Sequence, residues 1–193
     1  MGLLTEKEIL GKTEYDQMRP DFRRRIMRIK SKRRVLVGDH CSVHFECRDT
    51  MHYQVQEMLR AEDSWDRTGA VAEELEAYNP LIPRRGELSA TIMFEYETPE
   101  ERQEHLPKFA GIDEHVWLRI GETEPVLALF DRGQIDDRGV SSVQYVKWSL
   151  SDDQLAKLGQ DGTVIRLIVD HPHYRAQSVL SEETRQEIKH DPT

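Results

Sequence analysis

Five polar side chains interrupt an otherwise apolar segment in the first half of the chain. They comprise two carboxylates, two guanidinium groups and one amide: Glu46, Arg48, Gln54, Glu57 and Arg60. At about 100° per residue, Gln54 and Glu57 share one side of a helix, and Glu57 faces Arg60 at the i+3 spacing. The set predicts a hydrogen-bond network that fixes the helix against the preceding hairpin. The alternative is one wall of a polar pocket for a small ligand or metal, with binding favoured over catalysis because glutamine is a poor acid–base catalyst.

A second group of ligand-type side chains follows an apolar strand in the second half. Asp170, His171 and His173 lie within four residues, and imidazole and carboxylate groups bind zinc or iron. The motif predicts a metal site, although Asp-His-Pro is also a turn that ends strands. His40 and His44 are about 13 Å apart on a straight strand, too far to share one ion unless the turn folds back.

The two cysteines, Cys41 and Cys47, are six residues apart in a predicted strand. That spacing separates them by about 20 Å, whereas a disulfide needs Cα atoms within about 7 Å. We therefore expect two free thiols, which fits an intracellular protein. No run approaches 18 apolar residues and the chain does not open on a signal peptide, so we expect a cytoplasmic location without membrane contact.

Common enzyme signatures are missing from the sequence. It has no Gly-x-Gly-x-x-Gly, no Walker A motif, no Gly-x-Ser-x-Gly and no Cys-x-x-Cys. It also lacks the pair of Glu-x-x-His motifs that a diiron helix bundle needs.

Positive charge is concentrated in residues 19–34. This segment holds nine basic residues and one acid, Asp21, a local charge of +8; because the whole chain carries −9, the remainder carries −17. We expect a docked helix with a basic surface that binds a partner through Arg23, Arg24 and Arg28. The basic face can instead dock onto the acidic body or bind nucleic acid. Nucleic acid is disfavoured because the acidic remainder repels phosphate and only Phe22 interleaves the run.

Helices are predicted for most of the first half. Pro20 predicts a fresh helix start for residues 21–32, and residues 35–37 and 42–47 flank Gly38 in a predicted β-hairpin. A long amphipathic helix, capped at Asp49 or Thr50, follows. Its apolar face is Met51, Val55, Met58, Leu59 and Trp65.

The second half alternates between short helices and strands. Strands are predicted at 88–96, 116–120, 126–130, 140–150 and 163–169, with helices at 99–109, 151–159 and 181–190. The fold class is therefore α+β, in a single domain over residues 1–193. N-terminal helices, the hairpin and the amphipathic helix form residues 1–78. A mostly antiparallel or mixed sheet with helices packed on one side forms residues 84–175, and a C-terminal helix covers 181–190.

Several blocks resemble the bacterial domain-of-unknown-function family numbered 3501. They are residues 19–23, 32–35, 45–60, 78–83 and 170–174. The resemblance implies a gene neighbourhood with a rubrerythrin-like diiron protein and an iron–sulfur, heterodisulfide-reductase-like protein, and hence peroxide or iron physiology. It implies no reaction. It places His171 beside the polar set of the long helix, while Cys41, Cys47 and His173 lie outside the family pattern.

Three functions follow from these features. The first is an uncharacterised accessory or binding protein, not an enzyme, acting with a redox protein partner. The second is a metal- or small-ligand-dependent enzyme with its pocket at the long helix and iron or zinc as cofactor. The third is a nucleic-acid binder that uses the basic segment 19–34.

Overall fold

The computed structural model describes residues 2–131, 135–136 and 139–192. This part of the chain contains six α-helices: α1 Lys12–Arg33, α2 Arg48–Ala61, α3 Ala70–Tyr78, α4 Pro99–His105, α5 Asp152–Gly159 and α6 Glu182–Ile188. Short 3₁₀ turns cover Glu6–Glu8, Asn79–Leu81, Leu106–Phe109 and Ile112–Glu114. No helix of the described residues is long and apolar enough to cross a membrane.

The strands are short and pair only with antiparallel neighbours. They are β1 Arg34–Leu36, β2 Cys41–Phe45, β3 Glu87–Phe94, β4 Val116–Ile120, β5 Val126–Leu127, β6 Leu129–Phe130, β7 Ile135–Asp136, β8 Gly139–Val140, β9 Val143–Ser149, β10 Ile165–His171 and β11 Tyr174–Val179. One sheet has the order β1-β2-β3-β9-β6, a second has β11-β10-β4-β5, and β7 pairs with β8. The α+β class is confirmed, but the strands form two sheets and a ribbon where one sheet was predicted.

The larger core contains the inward-facing residues of both sheets. Phe45 and Ile92 of the first sheet join Leu118 and Leu167 of the second, together with Trp148. Because side chains alternate along a strand, the other face of the first sheet is free to carry different residues. It carries polar ones on β2 and β3, among them Ser42 and Thr91, and it contacts the helices.

A smaller core joins the helices to the first sheet. Met51, Val55 and Leu59 of α2 pack with Leu75 of α3, and Tyr145 of β9 packs against them. The apolar face predicted for the long helix is thus confirmed for these positions. Trp65 lies beyond the end of α2 at Ala61, and its indole Nε1 donates to the carbonyl of Leu10 at 3.0 Å.

Residues 19–33 of the basic segment belong to one docked helix, and Arg34 begins β1. Tyr15, Ile26 and Arg33 of α1 are buried, which confirms docking. The predicted break at Pro20 is wrong, because α1 runs through it from Lys12 to Arg33. Proline costs an interior helix about 3 kcal/mol, so buried side chains on both sides of Pro20 must compensate.

Two other boundaries differ from prediction. Arg48 is the first residue of α2, with Cys47 as its N-cap, so Arg48 does not share a strand face with Glu46. The predicted strand 126–130 is divided: Val126–Leu127 pairs with β4 of the second sheet and Leu129–Phe130 with β9 of the first. Strand β11 was not predicted.

Candidate functional site

Glu46 joins the start of α2 to the first sheet. Its buried carboxylate accepts from the hydroxyl of Thr50 at 2.5 Å and from that of Thr91 at 2.6 Å. Thr50 lies in the first turn of α2 and Thr91 in β3. A buried carboxylate needs such donors, so Glu46 serves here as a fixed link between two elements.

Glu57 faces α1 instead. It accepts from the hydroxyl of Tyr15 at 2.6 Å and from Nε and Nη2 of Arg19 at 2.7 and 2.8 Å. These hydrogen bonds, the one from Arg19 first, lower the pKa of Glu57 from 4.5 to about 2 against the opposing effect of burial. The carboxylate is therefore ionised, and its hydrogen bonds to Tyr15 and Arg19 join α2 to α1.

The remaining predicted members have their own neighbours. Arg48 binds the carboxylate of Glu8 and donates to the carbonyl of Gly2 at 2.9 Å. Arg60 donates to Asp16 at 3.2 Å rather than pairing with Glu57. Gln54 is partly buried and makes no side-chain hydrogen bond to the described residues. Four of the five predicted residues thus occupy separate contacts, and Glu46 and Glu57 share no partner.

Gln56 belongs to the same polar set of the long helix, whereas sequence reasoning missed Tyr15 and Arg19, which complete the contact of Glu57. Gln56 is fully buried and binds both backbone groups of Leu10, accepting from its N–H at 2.6 Å and donating to its carbonyl at 3.2 Å. Because Gln56 lies beside the apolar face of α2, its position in the sequence indicates a buried amide that needs hydrogen-bond partners. Tyr15 and Arg19, four apart on α1, give a similar signal for a shared acceptor.

A serine, a histidine and a glutamate meet on the polar face of the first sheet. Ser42 donates to Glu95 at 2.5 Å and lies 2.9 Å from Nε2 of His44. Since its proton points to Glu95, Ser42 must accept from His44. Burial lowers the pKa of His44, whereas the Ser42 hydroxyl first and then Arg34 lower that of Glu95.

This trio does not have the arrangement of a hydrolase. A nucleophilic serine gives its proton to histidine, and the acid holds the far side of that histidine. Ser42 occupies the middle position here and is fully buried. The trio stabilises the sheet rather than activating a nucleophile.

The predicted metal residues lie at the end of β10. Asp170 Oδ1 is 3.1 Å from both His115 Nδ1 and Trp117 Nε1. His171 is buried, its Nε2 is 3.0 Å from the Ala110 carbonyl, and its Nδ1 accepts from the N–H of His173 at 3.2 Å. Both ring nitrogens of His171 are therefore occupied, and its neighbours are not the polar residues of α2.

A third imidazole, which the sequence did not indicate, completes this group. The ring of His115 is 5.0 Å from that of His171, and the ring of His173 is 5.8 Å from it. Among the residues described, no three His, Cys, Asp or Glu side chains are placed to hold a metal ion. A metal bound by His171 would have to displace one of its two hydrogen bonds.

The predicted partner-binding arginines lie on the outer side of α1. A surface groove there is lined by Arg19, Pro20, Arg23, Arg24, Met27, Arg28 and Ser31. At 100° per residue, Arg24, Met27 and Arg28 point away from the buried Tyr15 and Ile26, whereas Arg23 lies at the margin between the buried and the exposed side. Met27 is 37% exposed.

Ion pairing divides the basic residues of α1 into two classes. On the inner side, Arg19 binds Glu57 and Arg33 binds Asp191, and Lys32 reaches Glu183 at the C-terminal helix. On the outer side, Arg24 binds only its neighbour Asp21. Arg23 and Arg28 have no carboxylate partner in the part of the chain that the structure describes. We call Arg23, Arg24, Met27 and Arg28 the arginine face.

Comparisons with known proteins agree with the predicted resemblance. The family model described as "Protein of unknown function (DUF3501)" matches residues 3–191. A crystal structure of a novel protein of unknown function from Burkholderia pseudomallei K96243 is 31% identical, with a TM-score of 0.92 and 100% of each chain covered. The search of curated proteins finds no relative.

Proposed function

We propose that this chain, which belongs to the DUF3501 family of proteins of unknown function, is an accessory protein that binds an acidic protein partner through its arginine face. One observation carries the proposal. Arg23 and Arg28 have no carboxylate partner among the described residues, and they lie on a docked helix of a chain whose net charge is −9. Since carboxylates outnumber basic groups in this chain, two unpaired arginines that line one groove are unexpected unless a partner supplies the opposite charge.

The chemistry of the face suits a protein surface. Arginine forms paired hydrogen bonds with carboxylates, and exposed methionine adapts its shape to apolar neighbours. The two side chains on either side of Met27 therefore supply charge around an apolar contact, as in many protein interfaces. Nucleic acid is the weaker candidate because the −17 carried outside the basic segment repels phosphate.

We further propose that the partner is a redox protein. The family resemblance implies a rubrerythrin-like diiron protein or an iron–sulfur, heterodisulfide-reductase-like protein, in the peroxide or iron physiology of the bacterial cytoplasm. Neither partner is indicated by the geometry, which supports only the acidic character of the surface that docks.

An enzyme with its pocket at α2 has less support. Glu46, Glu57 and Arg48 each bind groups within the chain. A ligand that used them would have to break those contacts, and each broken contact to a charged group costs about 1.5–3 kcal/mol.

A binding titration tests the proposal. The purified chain is titrated with the rubrerythrin-like protein, the iron–sulfur protein and a duplex DNA, each at two salt concentrations. We expect one of the two proteins to bind with an affinity that falls as salt rises, because exposed charges are screened. Binding of DNA alone would replace the proposal with the nucleic-acid function.

A further inference from the structure

A small cavity lies where α1, the start of α2 and α6 meet. Its volume is about 280 Å³, and its lining consists of Ile29, Arg33, Cys47, Arg48, Asp49 and Glu187. Cys47 is the N-cap of the 14-residue helix α2 and is 6% exposed. The thiol is therefore nearly buried, with this cavity beside it.

The helix start surrounds the sulfur of Cys47 with donors. The backbone N–H of Thr50 faces it in the capping box of α2, and the N–H of Asp49 belongs to the same turn. These are amides of the first turn, which lack partners within a helix and carry its partial positive charge. They stabilise negative charge on the sulfur and on an oxygen bound to it.

Arg33 adds a buried donor that has no acceptor. Its two terminal nitrogens bind Asp191, at 2.6 and 3.0 Å. Its Nε has no hydrogen-bond partner although the side chain is only 5% exposed, and the Glu187 carboxylate remains 3.5 Å away. An unpaired buried N–H is costly, so an acceptor that enters the cavity is stabilised there.

From this geometry we propose that Cys47 is a site of oxidation to a sulfenic acid by a small, neutral hydroperoxide. The thiolate sulfur attacks one peroxide oxygen, the O–O bond breaks, and an S–O bond forms. The sulfur loses two electrons, and the departing hydroxide, or the alkoxide of an alkyl hydroperoxide, takes up a proton to become water or an alcohol. The new S–OH oxygen is the acceptor that Arg33 Nε lacks.

The size and charge of the cavity select the oxidant. A volume of about 280 Å³ admits hydrogen peroxide or a short alkyl hydroperoxide. The lining has two carboxylates, Asp49 and Glu187, and two guanidinium groups, Arg33 and Arg48, so its charges balance and a neutral oxidant enters without an uncompensated charge. Cys47 therefore reacts best with neutral molecules.

Cys41 is the matched control within the same chain. It lies on β2 in the large core, is 1% exposed and does not line this cavity. Burial raises the pKa of Cys41 to about 12; burial also raises that of Cys47, where Arg33 and the two amides oppose the rise. The thiolate is the reactive form, so the two thiols should differ in rate.

The experiment exposes the folded chain to hydrogen peroxide with dimedone, which traps sulfenic acids, and locates the adduct by peptide mass spectrometry. The wild type and Cys41→Ala should gain one adduct on Cys47, at least about tenfold faster than any adduct on Cys41, and Cys47→Ala should gain none. Equal labelling of the two cysteines, or labelling only after urea unfolds the chain, would overturn the proposal.

Discussion

Glu57 and Asp16 show that the burial of a carboxylate decides how much its ion pair stabilises the fold. Both accept from an arginine across the α1–α2 contact. Glu57 and Arg19 are 23% and 30% exposed and share a third group, the Tyr15 hydroxyl, whereas Asp16 and Arg60 are about half exposed. An exposed pair is screened by water, so only the first is expected to stabilise the fold measurably.

Replacing Glu57 should therefore destabilise the chain in a pH-dependent way. Its folded pKa of about 2 lies below the unfolded value of 4.5, so its stabilisation is complete above about pH 5 and is lost as pH falls towards 2. We expect Glu57→Gln to lower the free energy of unfolding by about 2 kcal/mol at pH 7. Urea denaturation at pH 7 and pH 3 should show the difference from wild type shrinking at the lower pH.

Arg60→Gln is the control for that experiment. The exposed Asp16–Arg60 pair should contribute less than about 0.5 kcal/mol. Equal losses for the two variants, or a loss for Glu57→Gln that stays constant with pH, would show that the Arg19–Glu57 contact has been misjudged.

Single residues were predicted better than their partners. The sequence shows that Glu46 and Glu57 are carboxylates beside apolar positions and must find donors. It suggested Arg60 for Glu57 because that pair is local, at i+3. The observed donor, Arg19, is 38 residues away. It reaches Glu57 because α1 packs on α2, and a local sequence pattern cannot predict that packing.

At the scale of elements, α1 is held by polar contacts at both ends. Its first half contacts α2 through Tyr15 and Arg19, and its last residue, Arg33, binds Asp191 beyond α6. Arg33 and Asp191 are 5% and 3% exposed, so this ion pair is buried. The C-terminal segment is thus an anchor for α1, although the sequence predicted only a helix over residues 181–190.

Removing Asp191 should release that anchor. Asp191→Asn leaves the buried guanidinium of Arg33 without its counter-charge, and we expect a loss of about 3–5 kcal/mol in the free energy of unfolding. Glu183→Gln serves as the control because its pair with Lys32 is exposed, at 3.5 Å. Denaturant unfolding that finds similar stability in both variants would rule out the anchor.

Strand predictions failed where two partners compete. Residues 126–130 have one continuous apolar pattern, yet β5 and β6 join different sheets. The β-propensity of a residue describes how well its side chain fits a pleated surface, and it does not specify which neighbouring strand will pair with it. Strand β11 is an edge strand whose exposed residues include Arg175 and Gln177, so it lacked the apolar run that predicted β10.

Gly38 tests the contact between the two sheets. It has a φ of +74°, and a Cβ there would lie 2.8 Å from the Tyr174 hydroxyl and 2.9 Å from the Ala176 Cβ of β11. Gly162 has a similar φ of +77° with no atom within 4 Å. We expect Gly162→Ala to cost about 1 kcal/mol from the backbone alone, and Gly38→Ala at least about 1 kcal/mol more from the clash. Equal costs in thermal unfolding would show that the sheets move apart freely.

At the scale of the whole molecule, the distribution of charge is the main feature. An acidic chain keeps most basic residues of 19–34 in contact with its own carboxylates, which accounts for docking of the helix. The arginine face is what remains of that positive charge on the outside. Composition already showed the asymmetry, but only the structure separates the paired inner residues of α1 from the outer Arg23 and Arg28.

Charge reversal of the arginine face measures its role most directly. The variant Arg23→Glu/Arg28→Glu is compared with Arg84→Glu/Arg85→Glu, which changes the net charge equally at two exposed arginines outside α1. In a titration with the redox partner that binds the wild type, we expect the first variant to bind at least about tenfold more weakly and the second to stay within about twofold. If both variants bind as the wild type does, or if both lose affinity equally, the arginine face is not the binding surface.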